Sequence, residues 1–203
     1  MAIKGIIFDM DGTLIDSKLD FDQMRHDMGL PENAPILETI ESYTGLRRQE
    51  CEEVLRRHER IGAENACLFP GIAELLEYIE SLNLKIAIVT RNLREFAIEM
   101  LKLLPATFSP VIGREEGPIK PDPWALLYIC KNWGFQPGEV IMAGDYRFDL
   151  EAGRRAGCPT LWFSQKRTVG NSDWHQLADY ILEDNFDGAK LLDQILADHQ
   201  DLS

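Results

Sequence analysis

A short apolar run that ends in two carboxylates constrains this chain most. Ile6, Ile7 and Phe8 lead straight into Asp9; Asp11 follows with one residue between, and then Gly12 and Thr13. β-Branched and aromatic residues in an unbroken apolar run suit a strand buried on both faces, the pattern of a parallel sheet. Open parallel sheets bind their ligands beyond the carboxyl ends of their strands. A strand that delivers two acids to that end and then turns at a glycine is therefore placed to do chemistry.

The rest of the chain supports such a sheet. Apolar β-rich runs recur at Lys85 to Val89, Val140 to Ala143 and Thr160 to Phe163, with weaker ones at Pro110 to Ile112 and Tyr180 to Leu182. Helical spacing separates most of them, as in Ile72, Leu75, Leu76 and Ile79, or Phe96, Met100 and Leu103. Asp122 and Pro123 form a cap and first-turn pair for a helix to about Trp133. Asn92 with Glu95 resembles a capping box. Residues 187–199 read as a final amphipathic helix, and the acidic end "LADHQDLS" as its solvated terminus. Alternating strands and helices predict an α/β fold, a Rossmann-like parallel sheet covered on both faces.

One stretch breaks the alternation. Residues 17–67 show helical patterns at Phe21 to Met28, Ile36 to Tyr43 and Arg48 to Ile61, and no convincing strand. The expected organisation is an α/β core of residues 1–16 and 68–203, with a small helical cap of residues 17–67 inserted after the first strand.

Composition narrows the partners. The formal charge is −13 with no compensating basic run, which argues against nucleic acid and anionic membranes as partners. The cysteines Cys51, Cys67, Cys130 and Cys158 show no zinc-type spacing and read as reduced thiols of a cytoplasmic protein. No apolar run approaches the ~20 residues of a membrane span, and no signal peptide is evident.

The polar residues at the expected strand ends form a set. Asp9 and Asp11 follow the first run, Thr90 ends "KIAIVTRN", Lys120 sits in "IKPDPW", and Asp145 and Asp149 follow "EVIMAG". Clustered carboxylates repel unless a cation joins them, and oxygen ligands without His or Cys suit Mg²⁺. A metal at Asp9 and Asp145, with Lys120 beside it, would balance the cluster and hold a phosphoryl group. Asp9 can then attack phosphorus as a nucleophile, while Asp11 serves as acid and later as base. Thr90 can donate to a phosphoryl oxygen.

"FDMDGTLIDS", "IVTRN", "KPDP" and "GDYRFDLEAGRRAG" resemble, in order, the four motifs of the haloacid dehalogenase superfamily. "LFPGIAELLEYI" is similar to the segment where such chains re-enter the core after a cap of the first type. The resemblance implies a hydrolase with Asp9 as nucleophile and Asp11 as acid/base. It implies Mg²⁺ held by Asp9, Asp145 and the backbone carbonyl of Asp11, with Asp149 as a supporting acid. Thr90, Arg91 and Lys120 match the phosphate-binding region, and Arg48, in "TGLRRQE", matches a cap position that contacts a distal substrate anion. Dehalogenases of the superfamily lack the second aspartate, so Asp11 favours phosphoryl chemistry. The expected function is a Mg²⁺-dependent phosphatase of small phosphorylated metabolites, of the phosphoglycolate or sugar-phosphate type, acting as a monomer or homodimer.

A phosphomutase and a non-catalytic phospho-ligand-binding regulator are the rivals. Retention of Asp9, Asp11, Lys120 and Asp145 argues against the regulator. A cap start, "SKLDFDQMRHDMG", unlike that of hexose-phosphate mutases argues against the mutase.

Plainer readings stand beside these. Asp149 and Asn92 can be helix caps. Arg47 and Arg48 can be surface charges on a helix laced with pairs such as Glu52 with Arg56 and Glu53 with Arg57. Tyr146 stands where the family usually has a small residue, and is expected to narrow the pocket or select among substrates.

Overall fold

Strand β1 (Gly5–Phe8) is buried along its whole length because it runs through the middle of a sheet. In a computed structural model, which describes residues 1–164 and 174–200, β1 pairs with β4 (Lys85–Val89) on one side and β6 (Val140–Gly144) on the other. The next strands outward are β5 (Val111–Ile112) beside β4, then β7 (Thr160–Phe163) and β8 (Tyr180–Leu182) beyond β6. All five pairings are parallel, giving the order β5-β4-β1-β6-β7-β8. This is the expected α/β fold.

Side chains alternate across a strand, and the two faces here bury different sets. Ile7, Ala87, Val89, Val140 and Met142 share one core with Leu126 and Ile129 of α6 (Trp124–Trp133) and Ala152 and Ala156 of α7 (Arg147–Ala156). Ile6, Phe8, Leu161 and Phe163 meet Leu75 and Ile79 of α4 (Ile72–Ser81) and Leu192 of α8 (Gly188–Gln200) on the other. Phe8 stands edge-on to Phe108 and Phe163, with ring centroids 6.3 and 6.2 Å away. Helix α5 (Arg94–Leu101) follows β4. Residues 201–203, the last of the acidic tail, lie outside the described residues.

The chain divides into two units, Met1–Asp16 with Cys67–Ser203, and Ser17–Ala66. The second has its own core: Met24 and Met28 of α1 (Phe21–Met28), Ile36 and Ile40 of α2 (Ile36–Ser42), and Cys51 and Leu55 of α3 (Gly45–Glu64). Asp20 caps α1 by accepting from the Asp22 and Gln23 amides. Helix α3 starts earlier than the periodicity suggests, at Gly45 rather than Arg48.

Two short strands escaped the sequence reading. β2 (Ile15–Asp16) pairs antiparallel with β3 (Cys67–Leu68). Cys67, expected in the helical insertion, thus belongs to the larger unit. A two-residue strand carries no periodicity, so nothing local announces it. No helix among the described residues is long and apolar enough to cross a membrane.

Leu126 is fully buried between α6 and the sheet. Leu126→Ala is expected to lower unfolding free energy by about 2–5 kcal/mol, read as a fall in urea midpoint at unchanged slope.

Candidate active site

The register of the three central strands brings their carboxyl ends together. Phe8 stands opposite Ile88 on one side and Ala143 on the other, and the Asp9 amide continues the ladder to the Ala143 carbonyl at 2.8 Å. Asp9 therefore leaves β1 opposite Gly144, the last residue of β6, one position before Asp145. The chain then folds back at once. Met10 accepts from the Thr13, Leu14 and Ile15 amides at 3.3, 3.0 and 3.1 Å. Gly12 takes φ +87°, and a Cβ there would lie 2.5 Å from Asp145 Oδ2. Both the backbone sign and the space demand glycine. Gly144 is constrained by space alone, since a Cβ would come within 2.3 Å of the Asp149 Cβ.

The buried Lys120 ammonium sits among the acids. It donates to Asp9 Oδ1, Asp149 Oδ1 and the Val89 carbonyl, each at 2.6 Å. An ammonium has three donors, so these contacts engage all of them. Asp9, Asp145 and Asp149 each offer an oxygen within 4.8 Å of the others. Thr13, fully buried, donates toward Asp9 Oδ2 at 3.4 Å and lies 3.5 Å from Asp145 Oδ1. The Trp162 indole donates to the Asp145 carbonyl at 3.0 Å.

Asp149 is both cap and site residue. Its Oδ2 accepts from the Tyr146 amide at 3.0 Å in a capping-box geometry while Oδ1 pairs with Lys120. The Asp11 side chain lies toward the second strand end, with its Oδ2 at 3.5 Å from Thr90 Oγ1 and 3.4 Å from Asn92 Nδ2. Thr90 Oγ1 also accepts from the Asn92 amide at 3.0 Å.

Asn92 is the correction here. The expected capping box with Glu95 does not form. Helix α5 is capped at Leu93 without a side-chain bond, and the Arg94 amide donates instead to the Glu115 carboxylate at 3.0 Å. Asn92, buried, bonds Asp11. Its place two residues after Thr90 was the only signal. Thr13 was also missed, because a Thr in a turn is unremarkable until Asp145 arrives from 132 residues away.

Arg91 donates to the Lys120 carbonyl at 2.5 Å and lies over the Phe148 ring at 4.3 Å. Arg48 is half-exposed and pairs with Glu52 at 2.7 Å, one turn along α3. Of the helix-surface pairs expected there, Glu52 is taken by Arg48, and Arg57 approaches Asp27 at 3.6 Å.

The electrostatics follow from burial. Burial holds the Asp9 carboxyl well above the usual range; Lys120 pulls it down, and Asp149 and Asp145 push it up again. Burial would lower the Lys120 ammonium, but Asp149 and Asp9 hold it above its ordinary value, so it stays charged. One ammonium cannot balance Asp9, Asp145 and Asp149. An oxygen-only set of this spacing suits a hard divalent cation.

A model of the family described as haloacid dehalogenase-like hydrolase matches residues 18–163. The chain belongs to the haloacid dehalogenase-like hydrolases. A haloacid dehalogenase-like hydrolase domain-containing protein of Arabidopsis thaliana is 34% identical over 85% of this chain and 75% of its own. A phosphoglycolate phosphatase of Aquifex aeolicus is 32% identical over 94% of this chain and 97% of its own. The crystal structure of a predicted phosphoglycolate phosphatase from Haemophilus somnus superposes with a TM-score of 0.69 at 25% identity, covering 94% of this chain and 98% of that one.

This hydrolase stores repulsion in its acids. A carboxyl raised in the folded state adds stability at low pH and costs stability as pH rises through its folded value. With chelator at pH 8, Asp9→Asn is expected to be more stable than wild type. The gap should close as pH falls through the Asp9 titration. Lys120→Met leaves buried carboxylates without their counter-charge and should cost about 3 kcal/mol or more. Melting temperatures across pH check both.

Proposed function

We propose that this hydrolase is a Mg²⁺-dependent phosphatase that releases phosphate from a small phosphorylated metabolite through a phospho-Asp9 intermediate. The observation that carries the reading is the convergence of Asp9, Asp145 and Asp149 around Lys120 at the carboxyl end of the central strand. The relatives named as phosphoglycolate phosphatases support a small phosphorylated substrate.

Asp9 and Asp145, with the Asp11 backbone carbonyl, would hold the cation. When bound, Mg²⁺ supplies charge that screens the attacking carboxylate from the anionic phosphoryl group and stabilises the charge it develops. The chain's own groups do the rest. Lys120 fixes Asp9 Oδ1, which directs the other oxygen, Oδ2, at phosphorus. The Oδ2–P bond forms as the bond from phosphorus to the leaving alkoxide breaks, and Asp11 gives its proton to that alkoxide. Asp11 then takes a proton from water, which attacks the same phosphorus and frees both phosphate and Asp9. Asn92 orients Asp11 for both transfers through its Oδ2. Thr90 and Arg91 supply donors for phosphoryl oxygens, and Lys120 shares its charge with them. Asp149 acts through Lys120 as a positioning group.

Phosphate release from phosphorylated metabolites, with Mg²⁺ and with chelator, tests the reading. Release should depend on Mg²⁺ and fall by at least about a thousandfold in Asp9→Asn, while that variant keeps a cooperative melting transition. Wild-type rates in Asp9→Asn would rule out Asp9 as nucleophile. Ca²⁺ in place of Mg²⁺ should inhibit, because its looser, higher coordination draws both oxygens of a carboxylate onto the metal. Full activity with Ca²⁺ would count against this cation site.

A further inference from the structure

Tyr146 follows Asp145 directly and opens α7. Half of its surface is exposed, which is unusual for a large aromatic residue beside buried acids. The ring is not loose. Its centroid lies 5.2 Å from Phe148, edge to face, and 5.8 Å from Trp174. Trp174 in turn stands perpendicular to Trp162 at 4.9 Å. At the other end the Arg91 guanidinium covers Phe148 at 4.3 Å. Arg91, Phe148, Tyr146 and Trp174 thus form one continuous wall of rings, packed edge-on or tilted, with a delocalised cation at one end.

This wall is tied to the catalytic residues at three points. Tyr146 is bonded to Asp145 in the chain, and its amide donates to Asp149. Trp162 donates to the Asp145 carbonyl. Arg91 donates to the Lys120 carbonyl. A surface so fixed does not adapt; it selects. An exposed aromatic face has little to offer a two-carbon acid, which is charged at both ends and has no face to stack. It offers dispersion and quadrupole contact to a ring.

We propose that Tyr146 is a specificity-determining residue, and that the phosphomonoester this hydrolase prefers carries its phosphate on an alcohol with a ring face. Sugar phosphates and nucleoside monophosphates share that chemistry. The inference rests on the phosphatase reading, and deepens it by naming what the leaving group presents.

The test compares wild type, Tyr146→Ala and Tyr146→Phe on phosphoglycolate, a pentose phosphate, a hexose phosphate and a nucleoside monophosphate, each with Mg²⁺. Wild type should favour a ring-bearing substrate over phosphoglycolate, and which one it favours separates sugar from base. In Tyr146→Ala, kcat/KM for that substrate should fall about 10- to 100-fold, chiefly through KM. The ratio to phosphoglycolate should fall by at least about tenfold with it. Tyr146→Phe keeps the ring and should restore most of the preference. Equal losses on every substrate would make Tyr146 a structural residue and overturn the proposal, as would a wild-type preference for phosphoglycolate. Turnover that persists in Asp9→Asn or without Mg²⁺ would overturn the phosphatase mechanism instead, whatever Tyr146 does. Absence of turnover on every substrate would overturn both.

Discussion

One buried ammonium organises the functional end of this protein. Lys120 reaches from the loop before α6 to the Val89 carbonyl of β4, to Asp9 after β1 and to Asp149 in α7. A cation sealed away from water costs several kcal/mol unless its donors are satisfied, and here each of the three meets an oxygen at 2.6 Å. The same contacts hold two acids that would otherwise repel. The lysine thus closes a circuit through three elements far apart in sequence, and it also aims the Asp9 carboxylate.

The sheet makes this circuit possible. Parallel pairing of β1 with β4 and β6 brings Asp9 to within one residue, in register, of Thr90 and Asp145. Two glycines then admit the acids to close range: Gly12 against Asp145 and Gly144 against Asp149. Neither glycine touches chemistry, yet a methyl group at either would displace a carboxylate. The balance left over is negative. Asp9, Asp145 and Asp149 against Lys120 describe a site with room in its charge for a cation; burial first, and then Asp149 and Asp145, hold the Asp9 carboxyl above the ordinary carboxylate range.

The acids split into two groups with different surroundings. Asp9 links the first group: it shares Lys120 with Asp149 and Thr13 with Asp145. Asp11, only two residues from Asp9, faces Thr90 and Asn92 instead. Two carboxylates with separate environments can hold separate protonation states, which is what a nucleophile and an acid/base need. The aromatic wall beyond Asp145 belongs to a different task. It carries no carboxylate, and its shape is set by the packing of Tyr146 on Phe148 and Trp174 and of Trp174 on Trp162.

Much of this was legible in the chain. The apolar runs marked the six strands of the sheet, the break in alternation pointed to a helical insertion of residues 17–67, one residue longer than the unit Ser17–Ala66, and Asp9, Asp11, Thr90, Lys120 and Asp145 read as strand-end residues that the fold brings together. These readings succeed because hydrophobic period and turn chemistry are local, and each residue reports its own burial. What the sequence left open was the partnering. Asn92 looked like a cap and became a ligand of Asp11; Thr13 looked like a turn residue and meets Asp145; Asp149 serves helix and lysine at once. The two-residue strands Ile15–Asp16 and Cys67–Leu68 exist only because they find each other. The sequence by itself determined which six strands make the parallel sheet and which acids follow them. Only the tertiary structure decided which acid meets which donor, because those distances depend on strand register and on groups more than a hundred residues apart.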